Sequence, residues 1–355
     1  MIRTVHVIGS RGGGGAERFY VRLVQALAAP DLAVRALCPP HSAVAAELDP
    51  GVVRPVPMRS VWDLAARRRI GKAAHRFNAD IVQTYMGRAT RLTHLRPGRR
   101  PVHVARLGGY YDLKGYRHAH AWVGNTRGIC DYLVRGGLPA RRVFPIGNFV
   151  EAAAPADPAE LQRLRTALGL PADALVVTAL GRLHPNKGFA DLLTAFSDLP
   201  AAVGERPVHL IVVGDGPLAA ELRSQATELD LDRRLHWAGW QNDPAPYYEL
   251  ADLFVCPSRH EPLGNVILEA WSHGLPVLAT RSLGAEELIR DQDTGALVPV
   301  GDPHALSHAM AGLLRDEGAR HALAGAGTAE VRRSHSREAV VGAYRAMYGE
   351  LLGAL

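Results

Sequence analysis

Residues 253–270 read Leu253-Phe254-Val255-Cys256-Pro257-Ser258-Arg259-His260-Glu261-Pro262-Leu263-Gly264-Asn265-Val266-Ile267-Leu268-Glu269-Ala270. Four apolar residues stop at a proline, as a buried strand does. A loop carrying Glu261 follows, and from Gly264 onward the pattern becomes helical. Strand, loop and helix in succession form one turn of an alternating α/β chain. The start of such a helix presents backbone N–H groups that lack intrahelical acceptors, together with the positive end of the helix dipole. Both suit an anion such as a diphosphate. Glu261 before the helix and Glu269 within it are placed to accept hydroxyl groups on either side of that anion. The spacing fits equally a capping acid at Glu261 and a solvated Glu269.

The alternation extends outward in both directions. Residues 174–180, 208–213, 235–237 and 277–279 read as strands, and residues 189–198, 218–228 and 266–272 as helices. In the first half, residues 4–8, 34–38, 80–84, 102–107 and 121–124 are strand candidates, and residues 16–29 form a helix stopped by Pro30. Residues 151–159 are small, proline-containing and unpatterned, like a linker. The expected fold class is therefore α/β, with two Rossmann-like, doubly wound parallel-sheet domains over residues 1–155 and 156–336. An amphipathic helix over about 337–355 would pack back on the first domain. Ligands of such folds bind in a cleft, here expected between the domains.

A second signal is Gly181-Arg182-Leu183-His184-Pro185-Asn186-Lys187-Gly188, lying after a strand and before a helix. Arg182 and Lys187 put two cations at the C-terminal edge of the sheet, where a diphosphate would sit. The Gly-Lys-Ser/Thr ending of a P-loop is missing. Cations on a surface turn would have the same sequence. A third signal, Gly12-Gly13-Gly14-Gly15-Ala16-Glu17, lets backbone approach a ligand after the first strand. It departs from Gly-x-Gly-x-x-Gly, and the second strand ends in Cys38-Pro39-Pro40 with no acid for a ribose. A nicotinamide enzyme is disfavoured on both counts.

Composition narrows the class. With 355 residues and 47% hydrophobic content, the chain suits two packed domains. No window approaches the roughly 20 apolar residues of a membrane-spanning helix, and the first residues read as a strand rather than a leader. Cys38, Cys130 and Cys256 are scattered and match no zinc spacing. The expected location is the cytoplasm, either free or peripheral on the inner face of the membrane. Residues 1–150 hold 24 Lys and Arg against 8 Asp and Glu, whereas residues 151–355 hold 17 against 27. A basic first half implies an anionic partner, either lipid or acceptor, or else a solvated face. Arg67, Arg68, Arg69 and Lys72, with Arg88, Arg91, Arg96, Arg99 and Arg100, are its densest part. Nucleic acid is disfavoured, since aromatics are sparse and do not interleave with the basic run.

In order, the glycine loop after the first strand, Gly181-Arg182-Leu183 with Lys187-Gly188, Val213-Gly214-Asp215-Gly216-Pro217, Pro257-Ser258 with Glu261 and Glu269-Ala270, and Gly274-Leu275-Pro276-Val277 resemble glycosyltransferase family 4 over nearly the whole chain. The resemblance implies the GT-B fold and transfer with retention of anomeric configuration. The donor would be a nucleoside-diphosphate sugar, of UDP type, carrying a hexose. The acceptor would be a glycan, lipid-linked glycan or metabolite, in surface polysaccharide or lipopolysaccharide synthesis. By motif, Arg182 and Lys187 would bind the diphosphate and, with Glu261 facing the sugar, form the catalytic set. Gly264, Asn265 and Val266 would offer backbone groups, and Glu269 would take the ribose hydroxyls. Gln241 would border the base, and Gly14 and Gly15 would close on the donor. No cofactor or metal is implied. Asp291-Gln292-Asp293 looks like the Asp-x-Asp metal pattern of another transferase fold, but turn chemistry accounts for it.

Two departures from the family pattern stand out. Pro262 and Leu263 replace the usual Gly and Phe after the first Glu. Many members also carry a histidine in the first domain near the reacting centre, whereas the matching stretch here is Ala105-Arg106-Leu107-Gly108-Gly109-Tyr110-Tyr111-Asp112-Leu113-Lys114. Arg106, Tyr111, Asp112 and Lys114 are the candidates for the acceptor side. His118 and His120 fit a surface or core role. A nucleotide-sugar epimerase of the same fold and a non-catalytic nucleotide-sugar binding protein are the alternatives.

Overall fold

The computed structural model describes residues 1–154 and 156–354. Positions 155 and 355, at the expected domain boundary and helix end, lie outside the described residues. The chain forms two units, Met1–Asn148 with Arg337–Leu355, and Phe149–Ser336.

The first unit is built on a parallel sheet of β1 (Ile2–Ile8), β2 (Leu32–Cys38), β3 (Val53–Pro55), β4 (Ile81–Tyr85), β5 (Val102–Leu107), β6 (Ala121–Gly124) and β7 (Val143–Pro145). Their order is β3-β2-β1-β4-β5-β6-β7. Both β4 and β5 are buried along their whole length, as central strands of a covered parallel sheet are. The helix Gly15–Leu27 lays Phe19, Leu23, Val24 and Leu27 against this sheet.

The final helix, Arg337–Gly353, is fixed to the same sheet by buried polar contacts. Tyr348 Oη donates to Gln83 Oε1 at 2.6 Å, and Gln83 Nε2 donates to Tyr85 Oη at 2.7 Å. Tyr85 Oη also lies 2.9 Å from His6 Nδ1. Burial pushes the His6 imidazole down to about 3, so it is neutral at physiological pH and serves the network as a hydrogen-bonding group. A closed polar network of this kind fixes one docking geometry for the helix where apolar packing alone would allow sliding.

The second unit repeats the plan with β8 (Leu175–Leu180), β9 (Ala202–Val203), β10 (Arg206–Val213), β11 (Leu235–Gly239), β12 (Leu253–Cys256), β13 (Val277–Thr280) and β14 (Ala296–Val298). The parallel order is β11-β10-β8-β12-β13-β14, with β9 antiparallel on β10. The boundary between the units falls after Asn148 and not at 155. Val150 N donates to His335 O at 3.1 Å, and the Val150 side chain packs with Tyr248 and Phe254. These contacts bring Val150, the residue before the sequence-inferred linker, into the second unit.

Candidate active site

The order of the second sheet picks out one place. From β8 the chain winds outward through β10 to β11, then returns to lay β12 on the other side of β8. The loops after β8 and β12 therefore diverge at a topological switch point, where sheets of this type bind ligands beyond the strand C-termini. The loop after β8 carries Arg182 and Lys187, and the loop after β12 carries Glu261.

These loops are joined through their backbones. Gly181 N donates to Val213 O and Leu183 N to Asp215 O, both at 3.0 Å, and His260 N donates to Asn186 O at 2.9 Å. Gly188 has φ +66, and a Cβ there would collide with the Pro257 carbonyl. Gly214 has φ +138, and a Cβ there would strike the Gly181 carbonyl. These glycines thus allow neighbouring loops to touch at positions closed to any side chain. Two contacts with no signature in the sequence brace the Glu261 loop. Arg259 grips Asp191 on the helix Phe189–Ser197, which follows the loop after β8, with two bonds of 2.7 Å, and Thr280 Oγ1 donates to Ser258 O at 2.6 Å.

At the centre, Lys187 Nζ forms an ion pair with Glu261 Oε2, the two side chains being 27% and 12% exposed. Residues assigned to phosphate and to sugar on sequence grounds are thus direct neighbours. Arg182 is exposed. The helix Asn265–Ser272 begins at Gly264, which has φ +83 and leaves the helix start without a side-chain cap. The backbone N–H groups of Asn265 and Val266 therefore belong to the first turn of a helix, where the helix dipole favours an anion. Gln241, in the loop after β11, donates from Nε2 to Ala238 O at 2.6 Å.

Glu269 accepts a hydrogen bond of 3.0 Å from Tyr248 Oη. Burial, then the Glu269 carboxylate, pushes the Tyr248 phenol well above its usual range, so it stays protonated and donates. Tyr248 stacks on His273 at 5.1 Å, and His273 Nδ1 lies 2.6 Å from Glu249 Oε1. Tyr248 therefore positions Glu269, a role that nothing in the local sequence signals. Tyr248→Phe is expected to weaken nucleotide binding about threefold to tenfold, and Glu269→Ala to weaken it further, by the loss of one and then several hydrogen bonds. Isothermal titration with UDP checks this, and equal affinity in all three proteins would remove Glu269 from the site.

In the first unit, Gly14 caps the helix Gly15–Leu27 without a side-chain bond. Beneath the glycine loop Ser10 Oγ donates to Glu17 Oε1 and accepts from Gly12 N at 3.2 Å. Glu17 is 8% exposed, a buried acid that the glycine motif alone does not flag. Arg106 corrects an expectation. It is 5% exposed, its Nε donates to Tyr344 Oη at 3.1 Å, its Nη2 donates to Asn148 Oδ1, and it lies 4.0 Å over the Phe19 ring. Its guanidinium joins the final helix to the sheet and is not placed to meet an acceptor. Tyr111 is half-exposed and stacks on Tyr116 at 6.1 Å, Asp112 Oδ1 accepts from Lys114 N at 2.9 Å, and Lys114 is exposed. His120 accepts from His103 N and lies 3.3 Å from Leu95 O. Asp291 Oδ1 accepts from Leu297 N at 2.9 Å, and Asp293 pairs with Arg290, which explains both acids as turn-forming residues.

The chain matches the family description "Glycosyltransferase Family 4" over residues 13–154 and "Glycosyl transferases group 1" over residues 174–316. It is 34% identical to the lipopolysaccharide core biosynthesis glycosyltransferase LpsE of Rhizobium meliloti, over 86% of this chain and 87% of that protein. LpsD of the same organism is 32% identical over 86% and 87% of the two chains. The crystal structure of Anabaena Alr3699/HepE in complex with UDP and glucose superposes with a TM-score of 0.81 over 100% of both chains at 22% identity, which is a likeness of fold. The two wound sheets are those of the GT-B fold, and the chain belongs to glycosyltransferase family 4 and is a glycosyltransferase.

Proposed function

We propose that this enzyme transfers a hexose-type sugar from a UDP-type nucleoside-diphosphate sugar to a hydroxyl of a saccharide acceptor, with retention and without a divalent metal, in lipopolysaccharide or related glycoconjugate synthesis. The observation that carries the reading is the Lys187–Glu261 pair at the switch point, beside the uncapped helix start at Gly264. As the anomeric C–O bond breaks, charge develops on the departing diphosphate and on the sugar ring. Arg182, Lys187 and the helix N-terminus stabilise the first of these electrostatically. When the diphosphate takes Lys187, Glu261 is released to accept hydroxyls of the sugar. Glu269 holds the ribose and Gln241 borders the base. The acceptor oxygen bonds to the anomeric carbon, and its proton passes to the diphosphate oxygen that leaves. The names of the relatives support the pathway class, and the UDP and glucose held by the Anabaena protein support the donor class.

A thermal-shift panel of nucleoside diphosphates and their sugars, with EDTA present, tests this. UDP is expected to raise Tm and one UDP-sugar to raise it further, because a ligand that binds only the folded state stabilises it by mass action. No shift with any nucleotide sugar would overturn the donor assignment, and a shift that needs a divalent cation would overturn the metal-free mechanism.

Peripheral contact with an anionic membrane is a second reading. Trp62 and Leu64 are 85% and 66% exposed at the start of the helix Leu64–Arg76, which carries Arg67, Arg68, Arg69 and Lys72. Exposed apolar groups beside a basic helical face favour an interfacial position.

A further inference from the structure

Glu269 takes the ribose hydroxyls in the reading above, and the polar groups that stand behind it have no part in that reading. The short helix Ala245–Glu249 ends on Tyr248 and Glu249. The helix Asn265–Ser272 carries Glu269, and His273 closes it with its N–H on Glu269 O at 3.2 Å. Glu269 and His273 are four positions apart, so they share one face of that helix. All four residues belong to the second unit.

Two side-chain bonds join the pairs crosswise. Tyr248 Oη donates to Glu269 Oε2 at 3.0 Å, and His273 Nδ1 donates to Glu249 Oε1 at 2.6 Å. An ionised carboxylate can only accept, so the hydrogen of the second bond sits on Nδ1. Between the two bonds lies a ring stack. The His273 imidazole and the Tyr248 phenol have centroids 5.1 Å apart and planes 15° from parallel. Phe254 of β12 also meets the phenol ring, at 5.4 Å and 44°. The side chains of His273 and Glu249 are 9% and 24% exposed, so water competes little for the bond between them.

The arrangement has a consequence for Glu269. The phenol oxygen lies at the far end of a long side chain, so a small tilt of the ring misaligns the bond that Glu269 receives. Hydrogen bonds weaken steeply once misaligned. Without that bond the flexible Glu269 side chain would spread over several rotamers. His273 is the flat wall that fixes the ring, and Glu249 fixes His273. Binding groups hold their geometry when a second layer of hydrogen bonds supports them in this way.

We propose that Glu249 and His273 are positioning residues for the donor nucleotide. Through Tyr248 they fix the Glu269 carboxylate, and so they set how strongly the enzyme prefers a nucleotide with ribose hydroxyls to one without. This inference rests on the donor reading above, in which Glu269 meets the ribose, and adds to it two residues and a selectivity.

The full chain is titrated by calorimetry with UDP and with 2′,3′-dideoxyuridine diphosphate, which keeps the base and the diphosphate and lacks both hydroxyls. The unaltered protein is expected to bind UDP at least about tenfold more tightly than the dideoxy analogue. His273→Ala and Glu249→Ala should each lower that ratio about threefold, with affinity for the analogue kept within about twofold. Retained binding of the analogue also shows that the variants are folded. Glu249→Gln keeps an acceptor oxygen for His273 Nδ1 and should restore the ratio. In a Tyr248→Phe background, His273→Ala should cause no further fall, because the oxygen through which it acts is gone. Full selectivity in the alanine variants would overturn the proposal. Equal losses for UDP and the analogue would overturn it too, as the mark of a structural role alone. Glu249 is the more exposed of the pair, so Glu249→Ala gives the answer even where His273→Ala fails to fold. If the unaltered protein bound UDP and the analogue equally, Glu269 would not hold the ribose, and the inference would fall with that assignment while the UDP donor stood. Binding of neither would strike the donor reading itself, and this inference with it.

Discussion

Lys187→Ala is expected to lower turnover about 100- to 1000-fold and to weaken UDP binding roughly tenfold. The larger effect falls on turnover because charge on the leaving diphosphate grows as the anomeric bond breaks, and a fixed cation is worth most where that growth is largest. The same change leaves the Glu261 carboxylate, whose side chain is 12% exposed, without its cation. Glu261→Gln separates the two contributions. It retains Lys187 and should keep UDP affinity within about threefold while turnover falls, since Glu261 is assigned to the sugar and not to the diphosphate. In the double variant Lys187→Ala with Glu261→Gln, the losses should be far from additive, as expected of groups in direct contact. Calorimetry with UDP and initial rates with the donor found by thermal shift decide the matter. Unchanged UDP affinity in Lys187→Ala would sink the diphosphate assignment, and additive losses would mean that the ion pair has no role in the reaction.

The contrast between Lys187 and Arg106 shows how far a sequence of this kind can be read. The strands β1, β8, β10 and β12 announce themselves as apolar runs closed by glycine or proline, and so the alternating fold is legible. The loops after β8 and β12 are legible for another reason. Positions such as Gly188 and Gly214 must be glycine because a neighbouring backbone lies against them, and that constraint leaves a fixed pattern. The strands β3 and β7 are three residues each and β9 is two, too short to show a period of two. They are specified by the neighbours they pair with.

Side-chain partnerships are hidden in the same way. Lys187 and Glu261 stand 74 positions apart, and Arg106 and Tyr344 stand 238 apart. A charged residue at the end of an apolar strand reads as functional until the helix that covers it is known. Tyr248 cannot be tied to Glu269 from spacing, because the link passes through the packing of two segments around β12. Arg67, Arg91, Asp112 and Lys114 each stand out in the sequence, but as a surface patch and as strand-end groups, and only the fold brings them to one cavity of the first unit.

Arg106→Ala is expected to act on stability and to leave nucleotide binding intact. The truncation removes a donor from Tyr344 Oη and from Asn148 Oδ1 and takes a cation from above Phe19. Each buried polar group left without a partner costs about 1–3 kcal/mol, and a desolvated cation–π contact about 2 kcal/mol. The cavity left by the side chain adds to this, so a total of at least about 4 kcal/mol and a fall in Tm of roughly 10 °C or more follow for a unit of this size. Tyr344→Phe keeps the ring and the packing and should lose only about 1 kcal/mol. The residues assigned to the diphosphate, ribose and base all belong to the second unit, so UDP affinity below the new melting point should match that of the unaltered protein. Differential scanning calorimetry with and without UDP tests both halves of the expectation. If Arg106→Ala melted at the original temperature while the acceptor KM rose, the guanidinium would be an acceptor ligand after all. The hydrogen bonds to Tyr344 and Asn148 would then describe one state of a movable side chain. If instead Tm falls and the acceptor KM holds, the guanidinium acts as a structural tie between the final helix and the sheet, as its bonds to Tyr344 and Asn148 imply.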